Sequence, residues 1–139
     1  MKREAIIVDL DGTLALRGDR DPYNYDEAME DAVNDRLVDF LTDYLVESSA
    51  DLLIVSGREE KSRDVVEYWL WRHGLPEYDG LYLRPTGDNR TDSEVKKEIY
   101  TTYIEPYYSV IAVFDDRNSV VKMWRELGLL CLQVADGDF

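Results

Sequence analysis

The sequence predicts an α/β fold, a doubly wound parallel sheet of about five strands with helices on both faces. Two patterns carry that expectation. Short apolar runs, partly β-branched as buried parallel strands are, recur at residues 5–10, 52–56, 81–84, 110–115 and 130–135. Helical spacing fills the intervals between them. A third observation sets the scale. A chain of 139 residues has the size of one domain, so residues 1–139 are expected to form a single unit that buries a core without disulfide staples.

The helices follow in chain order. Asn34 caps the first, in which Leu37, Val38, Leu41, Tyr44 and Leu45 make one apolar face. A second carries Val65, Val66, Trp69 and Leu70 and stops at Gly74, with Pro76 just beyond. A third runs from about Asp92 to Ile104 and ends before Pro106. A fourth covers residues 120–127, with Gly128 at its end.

Sixteen Lys and Arg stand against thirty Asp and Glu, a net charge of −14. That balance serves solubility and opposes a broad grip on a polyanion. A nucleic-acid substrate would be held locally, by a few arginines and a metal. The lone Cys131 fits a reducing compartment and can form no internal disulfide. No apolar run approaches the ~20 residues of a membrane helix, and the first strand is too short for a signal peptide. The expectation is a cytoplasmic protein with no membrane partner.

In sheets of this kind ligands bind beyond the carboxyl ends of the strands. There the sequence places Asp9-Leu10-Asp11-Gly12-Thr13-Leu14, then Ser56-Gly57-Arg58, then Asp115-Asp116-Arg117. Four carboxylates gathered at one rim repel one another unless a cation sits among them. Hard oxygen ligands at that density suit Mg²⁺.

The ordered set resembles the haloacid dehalogenase superfamily. Asp9 to Leu14 match its first motif, Ser56 its second, Lys96 its third, and Asp115 with Asp116 its fourth. The resemblance implies a haloacid dehalogenase-like phosphatase in which Asp9 is the nucleophile and forms an acyl phosphate. Asp11 would be the general acid and base, its backbone carbonyl a metal ligand. Gly12 would allow a close turn whose N–H groups, with Thr13 and Gly57 nearby, cradle phosphate oxygens. Ser56 would donate to the phosphoryl group and Lys96 would balance its charge. Asp9, Asp11, Asp115 and Asp116 are the metal candidates.

About twenty residues separate Leu14 from Asn34, and the stretch from Gly74 to Arg90 is equally short, so no large cap domain is expected. An uncapped site favours substrates too large to enclose. Across nearly the whole chain the sequence also resembles the phosphatase domains of bacteriophage polynucleotide kinase-phosphatases. The matching pieces include Asp9 to Ala15, Arg20 with Pro22-Tyr23, Val55 to Glu59, Arg84, Asp92, Lys96, Met123-Trp124-Arg125 and the ending Gly137-Asp138-Phe139. That resemblance implies hydrolysis of a 3′-phosphate, or a 2′,3′-cyclic phosphate, at a DNA or RNA end. It implies active-site roles for Arg20, Arg58 and Asp92. No Gly-x-x-x-x-Gly-Lys-Ser/Thr loop is present, so the chain is read as a free-standing phosphatase or a domain excised from a kinase fusion, with a separate kinase or ligase as a possible partner.

The remaining candidates have plainer readings beside the functional ones. Asp92 could cap the third helix and still position Arg20 or Arg58. Arg84 could bind substrate or lie on the surface. Tyr100, Tyr103, Tyr107 and Tyr108 could stack bases, but their helical spacing favours packing. Trp69, Trp71 and Trp124 read as core or interface, and His73 as a helix-end residue. Two other functions compete: an open-site phosphatase for small molecules or nucleotides, and a non-catalytic metal-binding or partner-dependent module.

Overall fold

A computed structural model describes residues 1–16, 18, 21, 30–75 and 77–139. Its centre is a five-stranded sheet of β1 (Arg3–Val8), β4 (Asp51–Glu59), β5 (Gly80–Arg84), β6 (Tyr108–Asp115) and β7 (Cys131–Gln133). The order across the sheet is β5-β4-β1-β6-β7, and every neighbouring pair is parallel. The five expected strands are all present, their ends shifted by at most three residues. A second, two-stranded sheet pairs β2 (Ala15–Leu16) with β3 (Ala32–Val33) antiparallel. Strands of two residues are too short to show a period, and this pair was not legible in advance.

The pleat sorts the side chains of β1 to opposite faces. Ala5 and Ile7 join Leu53, Val55 and Val113 under α3 (Asp92–Ile99) and α4 (Asn118–Glu126). Ile6 and Val8 join Leu52 and Ile54 under α1 (Asp35–Ser48) and α2 (Arg63–Arg72). Each fully buried Ile, Val or Leu contributes roughly 1.5–3 kcal/mol, and this central strand supplies both cores.

The helix ends follow local chemistry. Asn34 accepts the Leu37 N–H at 3.3 Å, as expected of the cap of α1. Leu37 and Leu41 are buried, but Tyr44 is exposed and borders an apolar groove with Phe40, Leu130 and Leu132. Gly74 ends the second helix with φ +59°. Pro76 lies outside the described residues. The third helix is capped by Thr91, not Asp92: Thr91 and Glu94 form a reciprocal capping box. It then widens into a π turn over Tyr100–Ile104.

Trp69 and Trp124 are buried, whereas Trp71 is exposed beside Tyr68. Tyr100 packs edge-on against Trp124. Tyr107 and Tyr108 stand at the start of β6 and Asp115 at its end. At ~3.3 Å per residue that is roughly 23 Å, which puts these tyrosines at the wrong end of the sheet to stack on a substrate at the acidic cluster.

The chain leaves β1, builds outward through β4 to β5, then crosses back to place β6 on the other side of β1. The reversal opens a crevice beyond the carboxyl ends of β1 and β6. Asp9 and Asp115 stand on its two sides.

Candidate active site

Asp9 continues β1 by one residue, its N–H donating to Phe114 O at 2.9 Å. The chain then reverses. Gly12, at φ +84°, takes the left-handed conformation the turn needs. The Gly12 N–H donates to Ala15 O at 2.7 Å and the Thr13 N–H to Leu10 O at 3.2 Å. The turn swings Thr13 back, and its buried hydroxyl donates to Asp9 Oδ2 at 3.0 Å. Gly12 and Thr13, expected to bind substrate, have partners within the protein in this structure. Their amides are engaged inside the turn, and the hydroxyl orients Asp9.

Lys96 reaches the cluster from α3. Its Nζ donates to Asp9 Oδ1 at 2.8 Å and to Asp115 Oδ2 at 3.0 Å. Trp124 Nε1 also donates to Asp115 Oδ2, at 3.2 Å, and the Asp116 N–H to Asp115 Oδ1, at 2.9 Å. Oxygens of Asp9, Asp115 and Asp116 lie within 4.8 Å of one another, and all three residues are buried. Burial and then the Asp115 charge push the Asp9 carboxyl well above its usual range, against the pull of Lys96. Burial alone would lower Lys96, but Asp115 and Asp9 outweigh it and raise its pKa.

This donor set fits a divalent cation. Three carboxylates and one ammonium leave two negative charges when all are ionised, and the oxygens converge at ligand spacing. The carboxylate of Asp11 is not part of that group.

Asp11 is held instead by Arg58, from the late part of β4. Arg58 Nε donates to Asp11 Oδ2 at 2.8 Å and Nη2 to Oδ1 at 2.5 Å. The fork is bidentate and buried on the arginine side, which fixes the carboxylate plane. Ser56 Oγ accepts the Arg58 N–H at 3.2 Å, so Ser56 shapes the backbone that presents Arg58. Ser56 is fully buried, and the cleft over the cluster is lined at this point by Gly57 instead.

Asp92 opens α3 and binds two arginines. Arg84 Nη2 donates to Oδ1 at 2.5 Å and Arg117 Nη1 to Oδ2 at 2.7 Å. It does not pair with Arg58. Arg84 also donates through Nε to Gly57 O at 2.9 Å and through Nη1 to the carbonyls of Asp88 and Arg90. In the structure the Arg84 guanidinium is buried among protein acceptors and supports Asp92 and Gly57. Arg20 lies outside the described residues.

Two further residues stand in the cleft, Arg117, which the sequence placed at the rim without a role, and Phe139, which it did not place there. Arg117 and Phe139 line it together with Asp9, Asp11 and Lys96. The signals were present, since Arg117 directly follows Asp116 and Phe139 closes the last matching stretch.

With this geometry in place, comparison with known proteins decides the family. The polynucleotide kinase PNKP phosphatase domain matches residues 3–139. This chain belongs to that family. It is a PNKP-type phosphatase domain of haloacid dehalogenase-like fold. A protein of Autographa californica nuclear polyhedrosis virus, described as a bifunctional polynucleotide kinase/RNA ligase, is 34% identical over 126 residues, covering 88% of this chain and 18% of that protein. A chain of the Pnkp1/Rnl/Hen1 complex superposes with a TM-score of 0.91 at 40% identity, over 99% of this chain and 48% of that one. A class C acid phosphatase from Bacillus anthracis, with tungstate bound, shares the fold at a TM-score of 0.62 and 22% identity, over 84% of this chain and 53% of that one. The chain thus spans less than half the length of the first two relatives.

Proposed function

We propose that this PNKP-type phosphatase domain is Mg²⁺-dependent and removes the 3′-phosphate, or opens and removes a 2′,3′-cyclic phosphate, at DNA or RNA ends. The observation that carries the reading is the buried triad in which Lys96 bridges Asp9 and Asp115 while Asp116 converges on the same point. Asp9 attacks phosphorus, and the bond from phosphorus to the 3′ oxygen breaks. Asp11, protonated once it turns from the Arg58 fork toward the leaving group, hands that oxygen a proton. Asp11 then takes a proton from water, which attacks the aspartyl phosphate and releases inorganic phosphate with Asp9 restored.

Thr13 and Lys96 hold the Asp9 carboxylate in place, and Lys96 balances charge on the transferring group. Asp9, Asp115 and Asp116, with the Asp11 carbonyl that the resemblance implies, would hold Mg²⁺, which offsets the repulsion between an attacking carboxylate and a phosphate. Arg20, by the same resemblance, reaches the substrate phosphate. The names of the relatives support a nucleic-acid end as substrate and a kinase or ligase, on the same chain or another, as partner.

The test is a panel of oligonucleotides ending in 3′-phosphate, 5′-phosphate or 2′,3′-cyclic phosphate, run beside sugar phosphates with Mg²⁺ and with chelator. The 3′ end should be hydrolysed with the highest kcat/KM, and only with the metal. Equal rates on sugar phosphates would point instead to an open-site small-molecule phosphatase.

A further inference from the structure

Trp124 takes no part in the chemistry above. It is fully buried, and the cleft over the acidic cluster is lined by other residues. Its indole N–H nevertheless donates into that cluster, to Asp115 Oδ2 at 3.2 Å. A buried indole needs an acceptor, and most side-chain hydrogen bonds go to backbone or water. Trp69, in the opposite core, follows that rule: its Nε1 donates to the Asp31 carbonyl at 3.1 Å. Trp124 donates to a carboxylate of the candidate metal site instead.

The indole is held firmly. Tyr100 packs edge-on against it, with ring centroids 6.0 Å apart at 86°. Tyr100 stands where α3 widens into its π turn, one helical turn beyond Lys96. Trp124 belongs to α4, which begins directly after Asp115-Asp116-Arg117. Two helices thus converge on one oxygen, Lys96 from α3 at 3.0 Å and Trp124 from α4.

That convergence sorts the two oxygens of Asp115. Oδ2 takes two donors, and Oδ1 takes the Asp116 N–H at 2.9 Å. An ionised carboxylate has about four lone-pair positions, so Oδ1 keeps the room for another partner. Lys96 alone would fix this orientation poorly, because its stem is flexible and it also serves Asp9. The indole adds a fixed direction and no charge, being a neutral donor only. A second ammonium in its place would hold the carboxylate but repel a cation.

We propose that Trp124 is a positioning residue for metal binding: its N–H, together with Lys96, turns Asp115 Oδ2 inward and keeps Oδ1 for a divalent cation. The proposal rests on the reading of the cluster as a Mg²⁺ site and adds what aims one of its ligands.

The experiment titrates Mg²⁺ into the substrate-free chain and follows the Asp116 backbone amide, the donor to Asp115 Oδ1, by ¹H–¹⁵N NMR. Trp124→Phe keeps a ring and removes the donor. It should raise the Kd for Mg²⁺ by about ten-fold or more. Two controls reproduce its other effects. Trp69→Phe deletes the same kind of N–H in the opposite core, and Val121→Ala opens a cavity in the core that holds Trp124 while sparing the bond. Both should leave the Kd within about two-fold of wild type. An unchanged Kd in Trp124→Phe would overturn the proposal, as would an equal rise in either control, which would trace the effect to packing. A second measurement uses the wild-type chain and needs no variant to fold. The Trp124 indole resonance should shift with the same Kd as the Asp116 amide, and the Trp69 indole should stay in place. A stationary Trp124 indole while the Asp116 amide saturates would also overturn the proposal and leave the Mg²⁺ site standing. A wild type in which Mg²⁺ moves neither resonance would defeat the metal reading and the positioning role together.

Discussion

At the residue scale, Asp9 carries opposing demands. The proposed catalysis needs it ionised, but burial and the neighbouring Asp115 disfavour its charge, with Lys96 in opposition. A carboxyl raised in the fold destabilises the folded state progressively as pH climbs above its unfolded value of about 4. Asp9→Asn keeps an oxygen to accept from Lys96 and removes the unfavourable charge. It should abolish turnover and, in metal-free protein at pH 7, raise unfolding stability by an amount on the order of 1 kcal/mol. Chemical denaturation with chelator, paired with the phosphatase assay, checks both halves. Retained turnover would refute the nucleophile, and a clear loss of stability would refute the charge argument. Asp9, Asp11, Lys96, Asp115 and Asp116 were legible in the sequence because their chemistry is inseparable from their residue type. Thr13 and Arg84 were legible only as donors. Which acceptor each finds, Asp9 for one and Gly57 with Asp92 for the other, is decided by a turn and by a contact between two elements, and a linear string shows neither.

At the scale of elements, the site depends on how closely the end of β4 approaches the start of α3. Gly57 makes that approach possible: a Cβ there would meet Asp92 Oδ1 at 2.6 Å. Gly57→Ala should push Asp92 away from Arg84 and Arg117 while the sheet stays intact. A shift of that size near the chemistry lowers kcat by about ten- to a hundred-fold. Because the damage runs through one side chain, adding Asp92→Ala to Gly57→Ala should cost little more. A double-mutant cycle in kcat decides the matter, and additive losses would sink the coupling. The alternation of strands and helices was readable because apolar period and length agree over whole elements. The boundary at Thr91 was not, because Thr91 and Asp92 are both good caps and only the Glu94 side chain decides between them. The π turn after Ile99 and the two-residue pair of β2 and β3 lack enough length to leave a period.

At the scale of the whole molecule, a chain of net charge −14 has a polyanion as its proposed substrate, and two salt effects run in opposite directions. The proposed phosphate contacts near the cleft weaken as salt rises. The repulsion between the acidic surface and the rest of the nucleic acid weakens too, since the screening length falls to about 10 Å at 0.1 M. Only the terminal nucleotide feels the first effect fully, whereas every added nucleotide enlarges the second. At low ionic strength and constant free Mg²⁺, KM for a 3′-phosphorylated 30-mer should therefore exceed KM for a trimer. The gap should close near 0.3 M salt, and for the trimer the log–log slope of kcat/KM against salt should stay shallow, between about −1 and −2 for two or three contacts. Steady-state kinetics on both lengths across a salt series test this directly. A 30-mer that binds better than the trimer at low salt, with a slope of −4 or steeper, would require an extended basic track. Around the cleft itself, Arg58, Arg84 and Arg117 are each already paired with a carboxylate. On the proposed reading, the nucleic acid is gripped at its end and the remainder of the strand is held off.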